Sequence, residues 1–467
     1  MCKPLCHIQF GAAEAHACRN GTAFCCGCAT PRSRVLTATG SRRQETAIRE
    51  VMKIAKAAGM SAPVLFVHWG EEGIRGSERV LLDLLKSIDR RRFTPILWCN
   101  AETMATAARA LDVQARVSPM PILLGWDAPR LDISGYRGLV AAGKAMIREF
   151  GVRLVHANSG APNQWMVPAA RSERVQMLAH LHAIYGFRER CTLLLHQVSV
   201  IVGCSDAVVR PFRADGIAPT RLRVIYNGVD TERLSTGDAR GLRASLGVAS
   251  DAFLVVSVGA LVRLKGFDTL IRALGILTAQ KLDAHLAIVG EGPEREALVA
   301  LSRELGLESR VHFVGDRSDV GAILRDAADV VAVASHIESF GLVAAEAGAA
   351  GRAVVATRVG GMPEVIQDTT TGLLVRPGDP AAFAAGLGRL ARDPNLRSAM
   401  GRAGSAHVQA SFTAQRAARS FETLYAELDA RPKADFGWSR LGLNVAPFAR
   451  LGFDVIGRRL GARIADA

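Results

Sequence analysis

The sequence predicts an α/β protein built from two doubly wound, parallel-sheet domains in tandem. Three observations carry this. Short apolar runs of strand length alternate with longer segments whose apolar residues recur every three or four positions, as in strands joined by crossover helices. The alternation begins at Pro63 and starts afresh at Phe253. The 467 residues, 49% of them hydrophobic, suffice for two cores of ordinary size.

In the first half, PVLFVHWG (residues 63–70) is an apolar strand running into a polar loop. In EEGIRGSERVLLDLLKSI, Gly73 and Gly76 precede an amphipathic helix, with Ser77 as its expected cap. Further strands are predicted at residues 95–99, 153–158, 176–182 and 198–204. In the second half they fall at 253–258, 286–289, 311–314, 329–334 and 353–356. The expected layout is a first domain at 61–235, a linker near 231–246, a second domain at 236–410, a last helix at 411–430 and a tail at 431–467. Residues 1–60 lack strand or helix periodicity and read as a disordered leader or an upstream start codon.

The most informative stretch is ESFGLVAAEAGAAGRAVVATRVGGMPE, residues 338–364. Glu338 and Glu346 are eight positions apart with Gly341 between them. A helix is predicted from near Phe340 to Gly351, the latter a left-handed cap, with Glu338 in the entering turn and Glu346 on the second turn. Small apolar residues surround Glu346, which argues against a solvated face. The unpaired N–H groups of a helix's first turn take phosphate oxygens, and carboxylates accept hydrogen bonds from sugar hydroxyls.

This spacing, the following GG-x-PEVI and TGLLVRPGD (residues 371–379) resemble the donor-site signature of retaining family-4 glycosyltransferases. VIYNGVD, VVSVGALVRLKGFDTLIRAL, LAIVGEGPERE and VHFVGD agree in order and spacing, so the resemblance covers residues 62–428. It implies a GT-B fold, in which two Rossmann-like domains, the first on the acceptor side, face one another across a cleft. A closing helix crosses back onto the first domain. It also implies a nucleotide-diphosphate sugar as donor and a saccharide or lipid-linked saccharide as acceptor. By resemblance Glu338 holds hydroxyls of the transferred sugar and Glu346 those of the ribose. Lys265, with Arg263 near it, meets the diphosphate together with the Leu342 and Val343 N–H groups; Phe340 and Gly341 belong to the same turn. His182 stands at the reacting centre with Lys265 and Glu338, and His180, two residues back, competes with it. Gly73 and Gly76 let the first loop approach the donor. The family's arginine after the glycine corresponding to Gly259 is Ala260 here, which leaves the second cation open. The donor half holds no Asp-x-Asp, so neither metal nor cofactor is implied. Two rivals remain: a sugar-phosphate or sucrose-type synthase with a small soluble acceptor, and a non-catalytic nucleotide-sugar-binding module.

The formal charge of +14 falls as +6 on residues 1–60, +6 on 61–235, −2 on 236–430 and +4 on 431–467. A basic first half suits an anionic membrane surface or a lipid diphosphate. Nucleic acid is the rival reading of a basic chain, but no segment resembles a nucleic-acid module, so no such partner is expected. No apolar run reaches membrane-spanning length and no signal peptide is evident, so the cytoplasm is the expected location, peripheral on the inner membrane face. Trp438, Phe448 and Phe453 interleave with Arg440, Arg450, Arg458 and Arg459 in the tail, which suits a membrane interface or packing on the body. Of nine cysteines, Cys2, Cys6, Cys18, Cys25, Cys26 and Cys28 lie in the leader at spacings matching no familiar zinc pattern, while Cys99, Cys191 and Cys204 read as reduced core residues.

Overall fold

The computed structural model describes residues 61–123 and 132–431. The expectations about the cysteine-rich leader and the aromatic tail lie outside the described residues.

Thirteen described strands form two wholly parallel sheets. The first comprises β1 (Ala62–His68), β2 (Phe93–Cys99), β3 (Gln114–Val117), β4 (Leu154–Asn158), β5 (Gln176–Leu181), β6 (Val200–Gly203) and β7 (Leu222–Val224), ordered β3-β2-β1-β4-β5-β6-β7. The second comprises β8 (Phe253–Val258), β9 (Ala284–Val289), β10 (Val311–Gly315), β11 (Val330–Val333), β12 (Ala353–Thr357) and β13 (Gly372–Val375), ordered β10-β9-β8-β11-β12-β13. The central strands are buried on both faces, which is why they read as continuous apolar runs. β3, β7 and β13 were not predicted, and all three lie at sheet edges.

Each order reverses once, between β1 and β4 in the first sheet and between β8 and β11 in the second. The chain leaves these neighbours in opposite directions, opening a crevice at their carboxyl ends where doubly wound sheets bind ligands. The predicted site residues follow the carboxyl ends of β1, β8 and β11 at these switch points, except His182, which follows β5.

Helix Gly76–Ser87 begins one residue ahead of Ser77, with Arg75 at its N-cap. Ser77 therefore does not cap it; its hydroxyl donates to Glu78 Oε2 at 3.1 Å. The last described helix, Ala414–Ala430, is capped by Thr413 and lies on the first domain, burying Phe421, Leu424, Tyr425 and Leu428 among core residues of β1, β2 and β4. Among the described residues no helix is long and apolar enough to cross a membrane, and Cys99, Cys191 and Cys204 are buried and not joined in a disulfide.

Candidate active site

The second sheet supplies a charged pair at its switch point. Arg263 to Lys265 form a single turn after β8, and the segment after β11 carries Ser335 and Glu338. Lys265 Nζ lies 2.8 Å from Glu338 Oε2, and the Ser335 hydroxyl donates to the same oxygen at 3.2 Å. Both charged side chains keep partial exposure, 33% for Lys265 and 16% for Glu338, so a ligand can reach them. Arg263 is exposed.

Helix Leu342–Ala349 follows at once. Gly341 starts it at φ +104°, a left-handed conformation, and a side chain there would meet the Met362 sulfur at 2.9 Å. The GG-x-PE motif acts from below. Gly360 sits at φ +50°, where a Cβ would come within 1.7 Å of the Glu338 carbonyl oxygen, and Gly361 N–H donates to that oxygen at 3.0 Å. Only glycine permits this crossing, so the pair of glycines sets the height of the Glu338 turn. Phe340 turns its ring inward, 2% exposed, against Tyr226 and Phe412; its side chain serves packing.

Glu346 is 7% exposed on the second turn, as predicted, but it is not alone. Arg233 from the linker donates to it at 3.2 Å and lies 3.8 Å from Asp83 of helix Gly76–Ser87. Burial pushes the Glu346 carboxyl up against the pull of Arg233. Burial likewise lifts Asp83, to about 6.

From the first domain, His182 follows β5 and is half-buried, its Nε2 2.9 Å from Asn158 Oδ1. Desolvation, then the neighbouring His68, pulls its pKa down to about 3. His180 is 1% exposed beneath it, ring centroids 4.1 Å apart, and lies against Phe421. Gly73 adopts φ +108° with open space around it, and Gly76 faces the other domain, where a Cβ would lie 4.0 Å from the Leu342 side chain. The starts of helices Gly76–Ser87 and Leu342–Ala349 thus approach one another. Each helix start carries first-turn N–H groups and the positive end of a helix dipole, and that of Leu342–Ala349 follows closely on Glu338, the partner of Lys265.

The two domains also touch directly near this point. Ser205 Oγ donates to the Ser339 carbonyl at 2.5 Å. The Glu364 carboxylate accepts from the backbone N–H groups of Asp206 and Ala207, at 2.8 and 3.1 Å, and so caps helix Asp206–Ala214 of the first domain. Glu364, Arg233, Asn158, His68 and Glu78 were not singled out from sequence. The position of Asn158 at the end of β4, beside the switch point, was the available signal.

Comparison with known proteins agrees with this geometry. Residues 238–407 match the model described as "Glycosyl transferases group 1" and residues 74–233 that of "Glycosyltransferase Family 4". The chain belongs to the family-4, group 1 glycosyltransferases. Among relatives of this glycosyltransferase, a D-inositol 3-phosphate glycosyltransferase of Corynebacterium jeikeium is 40% identical over 219 residues, 44% of this chain and 52% of that protein. A protein of the same name from Streptomyces scabiei is 37% identical over 59% of this chain and 62% of its own length. The chain thus spans between about two fifths and three fifths of the length of the curated relatives it matches. In structure it is similar to Anabaena Alr3699/HepE in complex with UDP, at 25% identity and TM-score 0.67, covering 78% of this chain and 100% of that one. Sucrose-phosphate synthase from Thermosynechococcus elongatus matches at 23% identity and TM-score 0.66, covering 79% and 99%. The fold is GT-B.

Proposed function

We propose that this glycosyltransferase moves a sugar from a nucleotide-diphosphate sugar to a hydroxyl of a saccharide or lipid-linked saccharide, with retention at the anomeric carbon and without a metal. One observation carries the reading: the Lys265–Glu338 pair stands at a switch point where two helix starts from opposite domains meet. A diphosphate placed there draws Lys265 away from Glu338. It meets first-turn N–H groups of both helices, and the freed carboxylate is left to accept hydrogen bonds from the sugar's hydroxyls. Arg263, exposed on the same turn, supplies the second cation that Ala260 does not.

The Glu346 carboxylate takes the ribose hydroxyls. Arg233 donates to it and pulls against the burial that raises its pKa, so a cation already stands beside the carboxyl where the ribose would dock. Catalysis then consists of stabilising the departing diphosphate and placing the acceptor hydroxyl on the face that the diphosphate vacates. His182, neutral at working pH, contributes hydrogen bonding and shape. Uridine is the base to test first, since Anabaena Alr3699/HepE is a neighbour solved with UDP. A small phosphate-bearing polyol is a second acceptor class, favoured by the relatives named for D-inositol 3-phosphate. A cytoplasmic enzyme peripheral on an anionic membrane surface fits the charge of +6 on residues 61–235.

The test is a panel of nucleotide sugars, read by thermal stabilisation and then by slow donor hydrolysis, followed by acceptors of both classes. Turnover that persists in EDTA is expected. Loss of turnover with EDTA, restored by magnesium or manganese, would transfer the diphosphate charge to a metal. Stabilisation without hydrolysis or transfer would leave a binding module.

A further inference from the structure

Behind His182 runs a chain of buried polar groups that the proposed reaction does not yet use. Glu78, His68 and Asn158 are 5%, 1% and 0% exposed. His68 Nε2 lies 2.8 Å from Glu78 Oε1, His68 Nδ1 lies 3.0 Å from Asn158 Nδ2, and Asn158 Oδ1 lies 2.9 Å from His182 Nε2. An anion at one end gives such a chain a direction. Glu78 as carboxylate only accepts, so His68 carries its proton on Nε2 and leaves Nδ1 to accept from the Asn158 amide. The amide oxygen then points at His182 and accepts from its Nε2–H. Asn158 Nδ2 also faces the Ser77 carbonyl at 3.4 Å, which holds the amide this way round.

The opposite arrangement is chemically defined. His68 Nδ1 is also 3.0 Å from the Asn158 main-chain oxygen. A proton on that nitrogen would turn the amide over and move the His182 proton to Nδ1. Two further observations favour a built device over ordinary packing. Ser159, directly after Asn158, is held at φ +117°, a strained conformation for a residue with a side chain, with its N–H bound to the His180 carbonyl at 2.9 Å. The other oxygen of Glu78 accepts from the Arg75 N–H at 3.2 Å, which ties the chain to the start of helix Gly76–Ser87.

We infer that Asn158, directed by Glu78 through His68, is a positioning residue that fixes His182 as its Nε2–H tautomer and links that setting to the glycine-rich loop. The inference rests on the reading of His182 as a residue of the reacting centre. In this arrangement the ring is locked in one plane, so the acceptor and the sugar meet a surface that does not have to be reorganised.

The experiment uses the full chain labelled with ¹⁵N-histidine. Long-range ¹H–¹⁵N spectra are expected to show the His182 proton on Nε2, and Glu78→Gln to give a mixture of tautomers. In kinetics, Asn158→Leu and Glu78→Gln are each expected to lower kcat about tenfold with little change in donor KM. Neither should lower it further in a His182→Ala background. A proton on Nδ1 in the wild type overturns the inference, and so do equal losses in both backgrounds. If Asn158→Leu does not fold, Glu78→Gln and the wild-type spectrum decide. Absence of turnover with every nucleotide sugar would instead sink the transferase reading, while the spectrum still reports on the chain.

Discussion

Glu338 and Glu346 are the same residue type under opposite conditions, and their substitutions separate donor chemistry from packing. Glu338→Gln keeps the size but turns one acceptor into a donor facing Lys265 and the sugar hydroxyls. Turnover is expected to fall about a hundredfold with the melting temperature unchanged, and wild-type turnover would show that the sugar lies elsewhere. Asp83 gives a pH prediction. Its folded pKa is raised from 3.8 to about 6 by burial, so the unfolded chain releases this proton first as pH rises. Its contribution to stability is therefore lost between pH 3.8 and 6 and stays lost above. Asp83→Asn should then be more stable than wild type at pH 8, by on the order of 2 kcal/mol, with the gain vanishing near pH 4. An equal gain at both pH values would mean that ionisation is not the cause. The glutamate spacing was legible because it recurs on a chemical scale, eight residues apart. Arg233 was not, because 113 residues separate it from the carboxylate it meets.

At the scale of elements, ten of the thirteen strands are found where apolar runs of four or more residues announced them. The remaining three failed for a common reason. β3 alternates exposed and half-buried residues, β7 has three residues, and β13 is half-exposed along its second half. These three edge strands have no long apolar run to display, whereas β10, also at an edge, was announced by VHFV. The cap on helix Asp206–Ala214 was hidden for another reason: the capping carboxylate, Glu364, comes from the other domain, 158 residues away. Replacing Glu364 with Gln leaves a weaker acceptor at a helix dipole. A loss of about 1 kcal/mol in stability is expected, with a higher donor KM because the contact also holds the Glu338 turn closed on Ser205. Donor affinity unchanged by Glu364→Gln would separate the cap from the cleft. Gly360→Ala tests the same turn more severely, since its Cβ would sit 1.7 Å from the Glu338 oxygen. Loss of donor binding is expected, measured by thermal shift with UDP.

At the scale of the molecule, tandem sheets were readable because the strand–helix rhythm restarts, but the way the chain closes on itself was supplied by family resemblance. The closing helix Ala414–Ala430 explains that limit: its hydrogen-bond partners in the first domain's core lie 269 to 333 positions earlier. Glu422 accepts from the Asp89 N–H at 2.8 Å and from Arg92 at 3.1 Å, and Tyr425 lies 2.6 Å from His156 Nδ1. Phe421 packs its ring, tilted, against His156 and against His180, and His180 lies against the His182 ring. The helix is therefore part of the first domain's core and of the floor of the cleft, although the second domain precedes it in sequence. A chain ending at Arg431 is expected to unfold in one cooperative transition and to keep donor hydrolysis. A chain ending at Thr413 should expose Phe66, His156 and Phe93 and fail to fold. Phe421→Ala, a milder version, should cost about 3–5 kcal/mol, because a large ring leaves a cavity among side chains with nothing to fill it. Its effect should extend to turnover, since the floor under His182 loosens with it. Stability lost without any change in kcat would show that the helix holds the domain but not the histidine.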